Sequence, residues 1–93
     1  MNQVGYKIKV LLFASLREKL GESELYLDIA ERDREGLRIT DVIRLLAVSR
    51  GAVWDDTLTN GKVLMAINHT MVDAQHSLSA DDELAFYPPV TGG

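Results

Sequence analysis

The stretch YKIKVLLF, residues 6–13, decides the fold. The apolar residues Ile8, Val10 and Leu12 occupy every second position. This alternation is typical of a β-strand that packs one face on a core. The opposite face begins with Lys9 and then becomes apolar, because Leu11 and Phe13 lie on the same side as that lysine. We therefore expect a strand whose outer face is hydrophobic at its end.

The remaining sequence predicts two helices and four further strands. Residues 14–20, ASLREKL, form a short helix that ends at Gly21, and residues 23–29, SELYLDI, form the second strand. The main helix has Thr40 as its N-cap and ends at Gly51. Three strands complete the set: KVLMAIN at 62–68 after an Asn60-Gly61 turn, a short piece at Met71-Val72, and LAFYP at 84–88 after the turn SADDE.

This order predicts an α+β fold with a mixed sheet, one main helix and one short helix. A hairpin and the returning strands form the sheet, and a helix crosses and covers one of its faces. The last strand lies beside the first. This is the β-grasp, or ubiquitin-like, arrangement. We expect a single domain over residues 1–93, with a flexible tail at residues 88–93.

Composition excludes several classes of function. The 93 residues carry a net charge of −4 and no cysteine, which argues against nucleic acid and anionic membranes as partners and removes thiolate chemistry and disulfides. We expect a cytoplasmic protein with no metal and no bound cofactor. His69 and His76 are interpreted as surface residues, and the acidic clusters 55–56 and 81–83 as solvated turns.

The chain end AFYPPVTGG, residues 85–93, is the one feature that suggests chemistry. Pro88 and Pro89 direct the exit from the last strand. The arm behind them is Val90, Thr91, Gly92 and Gly93, whose glycines would let a narrow channel close around the terminal carboxylate of Gly93. Two terminal glycines occur by chance in about one chain in 200.

Strand parity also predicts a docking surface beside the tail. If Leu84 and Phe86 pack on the helix, Tyr87 is exposed on the other face. Leu11 and Phe13 would share that face, with Met71 nearby, and apolar residues grouped in this way are typical of a protein interface.

Three segments resemble the small subunits of molybdopterin synthase (the MoaD family): KVLLFASLREKLG at 9–21, GKVLMAINHTMV at 61–72 and, most specifically, DELAFYPPVTGG at 82–93. The resemblance extends from about Tyr6 to Gly93. It departs from the family in the residues before Tyr6 and in a longer charged segment at 31–36.

The resemblance implies a sulfur carrier that is not catalytic alone. An E1-like adenylyltransferase would use ATP to adenylate the carboxylate of Gly93, and a sulfurtransferase route would convert it to a thiocarboxylate. The large synthase subunit would then accept the tail, and Gly93 would donate sulfur to a pterin precursor of the molybdenum cofactor. Alternatives are a related carrier for thiamine or another pathway, and a ubiquitin-like modifier conjugated through Gly93.

Overall fold

The computed structural model describes residues 6–30 and 35–89 of the chain and has five strands and three helices there. In chain order they are β1 (Tyr6–Leu12), α1 (Ser15–Leu20), β2 (Glu24–Ile29), α2 (Ile39–Arg50), α3 (Ala52–Leu58), β3 (Leu64–Ile67), β4 (Thr70–Val72) and β5 (Glu83–Tyr87). The strands form one mixed sheet in the order β2-β1-β5-β3-β4, in which β1 and β5 are parallel and the other pairs antiparallel. The predicted β-grasp fold is confirmed.

The two central strands build the core from one face of the sheet. Val10 lies beside Leu84 and Leu12 beside Phe86 in the parallel pair, and all four side chains are buried. The apolar face of α2 covers them, with Val42, Ile43 and Leu46 in the same cluster. The alternation read in residues 6–13 therefore identifies the buried face correctly.

The connection from β1 to α1 is a tight turn with Ala14 in an unusual conformation. The N–H of Leu16 donates to the carbonyl of Phe13 at 3.1 Å, and Ala14 between them has φ 52° and ψ −125°. These angles are those of the first central residue of a type II′ turn, a position that favours glycine. The helix then ends, as predicted, at Gly21, which has φ 80°.

The main helix begins one residue earlier than its predicted N-cap. Thr40 was expected to cap it, but α2 begins at Ile39, and Thr40 lies inside the helix. The first N–H groups find partners elsewhere in the fold: Ile39 donates to the carbonyl of His76 and Thr40 to that of Ala74, both at 3.1 Å. The Asp41 carboxylate accepts from the N–H of Arg38 at 2.9 Å. A threonine cap is unnecessary because the neighbouring loop satisfies the helix end.

A third helix, α3, follows Gly51, where the sequence predicted a solvated turn at residues 55–56. Gly51 has φ 115°, which ends α2 and lets the chain restart at a new angle. The expectation that Asp55 and Asp56 lie in a turn is therefore wrong, since both belong to α3. Trp54 on this helix is buried, and the Arg50 guanidinium lies 5.4 Å from the centroid of its ring.

Other predicted turns are present. In the first, the side-chain oxygen of Asn60 accepts from the N–H of Lys62 at 2.9 Å. In the second, the carboxylate of Asp82 accepts from the N–H of Ser79 at 2.7 Å. The charged segment 31–36 lies mostly outside the described residues, which begin again at Glu35. Within residues 6–30 and 35–89, no helix has the length and hydrophobicity to cross a membrane.

Candidate functional site

The face of the sheet that carries no helix holds a continuous apolar row across four strands. Leu11 of β1 lies opposite Ala85 of β5, which lies opposite Ala66 of β3, and Ala66 lies opposite Met71 of β4. Since side chains in register on neighbouring strands share a face, these four residues form one line. Sequence parity had placed Leu11 and Met71 on this face and had not identified Ala66 as the residue between them.

A second apolar row lies beside the first, at the end of β5. The rings of Phe13 and Tyr87 are stacked, with centroids 4.7 Å apart and an interplanar angle of 3°. The N–H of Phe13 donates to the carbonyl of Phe86 at 3.2 Å, which holds Phe13 next to the end of β5. Leu64 of β3 lies opposite Tyr87 and completes the row.

We call these two rows together the open-face stripe: Leu11, Phe13, Leu64, Ala66, Met71, Ala85 and Tyr87. Its larger members are exposed, with 36% of Phe13, 39% of Leu64 and 56% of Met71 accessible. Ala66 and Ala85, which lie on the same face, are only 2% and 5% exposed, because the larger residues around them cover them. The grouping of Leu11, Phe13, Met71 and Tyr87 is therefore present, and Leu64 extends it. The alternation within KVLMAIN could have identified Leu64, because it places that residue opposite in parity to buried Met65.

Polar residues flank the stripe towards the start of β5. Lys9 lies opposite Glu83, with Nζ 3.7 Å from its carboxylate, and Nε2 of His69 lies 3.5 Å from the same carboxylate. Tyr26 of β2 is the neighbour of Lys9 and is exposed. An apolar centre with a polar margin is the usual composition of a protein interface.

The tail root lies at the same end of the sheet as the Phe13–Tyr87 stack. Pro88 and Pro89 follow β5 directly and are half-buried. Four residues of the predicted site, Val90, Thr91, Gly92 and Gly93, lie outside the described residues. Because β5 sits between β1 and β3, the chain leaves the middle of the sheet beside the open-face stripe.

Neither histidine belongs to a metal site in the part of the chain that the structure describes. His69 and His76 are both exposed, and no group of three or more histidine, aspartate or glutamate side chains in residues 6–30 and 35–89 could hold an ion. Both interpretations as surface residues are confirmed.

A protein-family model described as the ThiS family matches residues 10–93. This chain belongs to the ThiS family. Within the family it is similar to two proteins named molybdopterin synthase sulfur carrier subunit. The one from Escherichia coli is 37% identical over 86 residues, and the one from Haemophilus influenzae is 34% identical over 86 residues. Each alignment covers 92% of this chain and 99% of the relative, so the sequence resemblance to these small subunits is confirmed.

Solved structures share the fold of this ThiS-family chain. The small archaeal modifier protein 1 from Methanosarcina acetivorans has a TM-score of 0.70 and 27% identity, covering 97% of this chain and 99% of its own. A chain from a complex of subunits 1 and 2 of molybdopterin-converting factor from Helicobacter pylori has a TM-score of 0.58 and 18% identity, covering 94% and 99%. The second likeness is one of fold alone.

Proposed function

We propose that this chain is the sulfur carrier of a molybdopterin synthase and that its reactive group is the terminal carboxylate of Gly93. The observation that carries the proposal is the position of the Phe13–Tyr87 stack, which joins the open-face stripe to the root of the tail. A partner that covers the stripe is thereby brought to the residues that precede Gly93. Membership of the ThiS family and the likeness to sulfur carrier subunits support this choice of chemistry.

The chemistry proposed for Gly93 is activation followed by sulfur transfer. A carboxylate is a poor electrophile, so an E1-like adenylyltransferase would couple it to ATP, forming an acyl adenylate and releasing pyrophosphate. A sulfurtransferase route would replace AMP with sulfur and leave a thiocarboxylate. That group would donate its sulfur to the pterin precursor within the complex. The chain lacks cysteine, so no thiol of its own would compete for the sulfur.

The large synthase subunit is the proposed partner for the open-face stripe. The Helicobacter pylori chain of the same fold is found in a complex with subunit 2 of its converting factor, and the curated relatives are named as subunits of a synthase. Exposed apolar groups such as those of Phe13 and Met71 gain free energy when a partner removes them from water. The small subunit would bring the sulfur, and the large subunit would provide most of the catalytic pocket. We place this exchange in the cytoplasm, where ATP is at hand.

The test is a chain that lacks Gly92 and Gly93. We expect the truncated protein to melt like the full chain and to keep its affinity for the large subunit within a few-fold, while dithiolene formation falls to background. Mass spectrometry of the terminal peptide should detect a thiocarboxylate on the full chain only. Dithiolene formation by the truncated protein at the rate of the full chain would overturn the proposal.

A second candidate function, conjugation to other proteins through Gly93, is favoured by the likeness to the small archaeal modifier protein 1. Both functions would start from the same activated carboxylate, and they would differ in the acceptor, a sulfur atom or a lysine amine. Incubation with ATP, the activating enzyme and a cell extract, followed by a search for Gly-Gly remnants on lysines, distinguishes them. Remnants that depend on Gly93 would establish the modifier function.

A further inference from the structure

A cleft of about 440 Å³ opens between the end of the β3–β4 pair and the amino-terminal part of α2. Strand β4 pairs with residues 65–67 of β3, and at the end of this pairing Met65 lies opposite Val72. The preceding stretch of β3 and the following residues Asp73 and Ala74 therefore separate, and the cleft lies between them. Its wall is mostly apolar and includes Ile43, Leu58, Val63, Leu64, Met65 and Met71. Four polar residues also line it: Thr40, Thr59, Asn60 and Asp73.

Gly61 lies in the wall of this cleft and has no conformational need to be glycine. Gly21, Gly36 and Gly51 have positive φ angles, but Gly61 does not. A Cβ built on Gly61 would meet no atom within 4 Å. Neither the backbone conformation nor internal packing thus requires a glycine at position 61. What its absence does is leave this part of the cleft wall free.

The cleft is continuous with the open-face stripe. Leu64 and Met71 belong to both, and Leu64 is the strand neighbour of Tyr87 at the root of the tail. A partner that covers Tyr87 and Met71 would therefore also contact residues of the cleft wall. Interfaces of this kind place a large side chain in a desolvated pocket near their centre, and such residues carry most of the binding energy.

We propose that the cleft receives one large apolar side chain, aromatic or aliphatic, from the large synthase subunit and so anchors that subunit on the stripe. This inference rests on the proposed function, because it takes the large subunit to be the partner. The predominantly apolar lining favours an apolar anchor, because burying a polar or charged group costs free energy wherever it lacks a partner. The volume is ample for one such side chain, since a cavity of about 150 Å³ already holds a benzene molecule.

The experiment compares two leucine substitutions by titration calorimetry with the large subunit. Gly61→Leu adds a side chain at a residue of the cleft wall, whereas Ala52→Leu adds an exposed leucine at the start of α3, outside the cleft. We expect Gly61→Leu to raise the Kd by roughly tenfold or more and Ala52→Leu to leave it unchanged. Equal affinities for Gly61→Leu and the unaltered chain would overturn the proposal.

A second measurement on the unaltered chain avoids any effect of substitution on folding. The chain has three methionines, and two of them, Met65 and Met71, line the cleft. With 13C-labelled methyl groups, an occupied cleft should shift both resonances when the large subunit binds, although Met65 is only 8% exposed. A shift of Met71 alone would overturn the anchor and leave the proposed function intact. If the large subunit does not bind the unaltered chain at all, the proposed function itself fails.

Discussion

The ring of Phe13 lies parallel to the ring of Tyr87, with centroids 4.7 Å apart, at the point where β5 gives way to the two prolines. The first residue follows β1 and the second ends β5, and the parallel pairing of those strands brings the rings together. Each ring covers one face of the other, Phe13 remains 36% exposed and Tyr87 is half-buried. The pair is thus a partly exposed aromatic group in a fixed position beside the tail.

Replacing either ring is expected to weaken the complex with the large subunit. Full burial of an aromatic side chain contributes about 1.5–3 kcal/mol, and a partner would remove from water only the part still exposed, 36% for Phe13. Tyr87→Ala and Phe13→Ala should each raise the Kd by roughly three- to tenfold, measured by calorimetry. Val48→Ala is the control, because Val48 is 82% exposed on α2 and should not affect binding. Unchanged affinity in both aromatic variants would show that the stripe is not the docking surface.

Ala14→Gly is expected to stabilise the protein. Ala14 has φ 52° and ψ −125°, a conformation in which a Cβ costs about 1–3 kcal/mol. Glycine removes this cost and adds some unfolded-state entropy, so the net gain should be about 1 kcal/mol in the free energy of unfolding. Urea denaturation measures it. The same substitution at Ala47, inside α2, should instead destabilise by about 1 kcal/mol. A loss of stability at both positions would contradict the strain at Ala14.

Thr57→Val should raise stability because it removes an unpaired hydroxyl. Thr57 on α3 is 6% exposed, and its Oγ1 has no hydrogen-bond partner among the residues that the structure describes. An unsatisfied buried polar atom costs about 1–3 kcal/mol, and valine keeps the shape. We expect a gain of about 1 kcal/mol in thermal or urea unfolding.

Thr59→Val is the matched control for that substitution. The Thr59 hydroxyl donates to the carbonyl of Asp55 at 2.6 Å and is exposed, so its replacement should bring no gain. If Thr57→Val were the more destabilising of the two, the Thr57 hydroxyl would have a partner after all.

Phe86→Ala and Tyr87→Ala should differ in their effect on folding, although the two residues are adjacent. Phe86 is fully buried, whereas Tyr87 is half-buried on the opposite face. Loss of a buried phenylalanine costs about 3–5 kcal/mol, a large part of the roughly 5–15 kcal/mol that holds a domain folded. Urea midpoints for the two variants measure the difference. Equal losses would mean that strand parity does not separate the core from the docking face.

Sequence alternation was sufficient to predict most of the sheet and its two faces. Ile8, Val10 and Leu12 identify the buried face of β1, and Leu84 and Phe86 do so for β5. The same parity identified Leu11, Phe13 and Tyr87 as a group on the other face. This works because period-two alternation is a local property that a sheet with one covered face keeps along its whole length.

Features that depend on distant neighbours were not accessible from sequence. The start of α2 at Ile39 depends on carbonyl groups of Ala74 and His76, which no local pattern reveals. Helix α3 was missed because Gly51 indicates the end of a helix. The structure shows that a new helix begins at the next residue, with Trp54 buried in the core. The cleft at Gly61 depends on where β4 stops pairing with β3, which is a matter of tertiary geometry.

The central position of β5 also has a mechanical consequence. The strand is hydrogen-bonded to β1 on one side and to β3 on the other, and the tail continues directly from its end. A force that pulls on the tail therefore acts along β5 and loads both ladders in shear, so that many hydrogen bonds resist it together. An edge strand would instead peel away one bond at a time. The fold therefore attaches its carboxyl-terminal tail to the strand best able to bear tension.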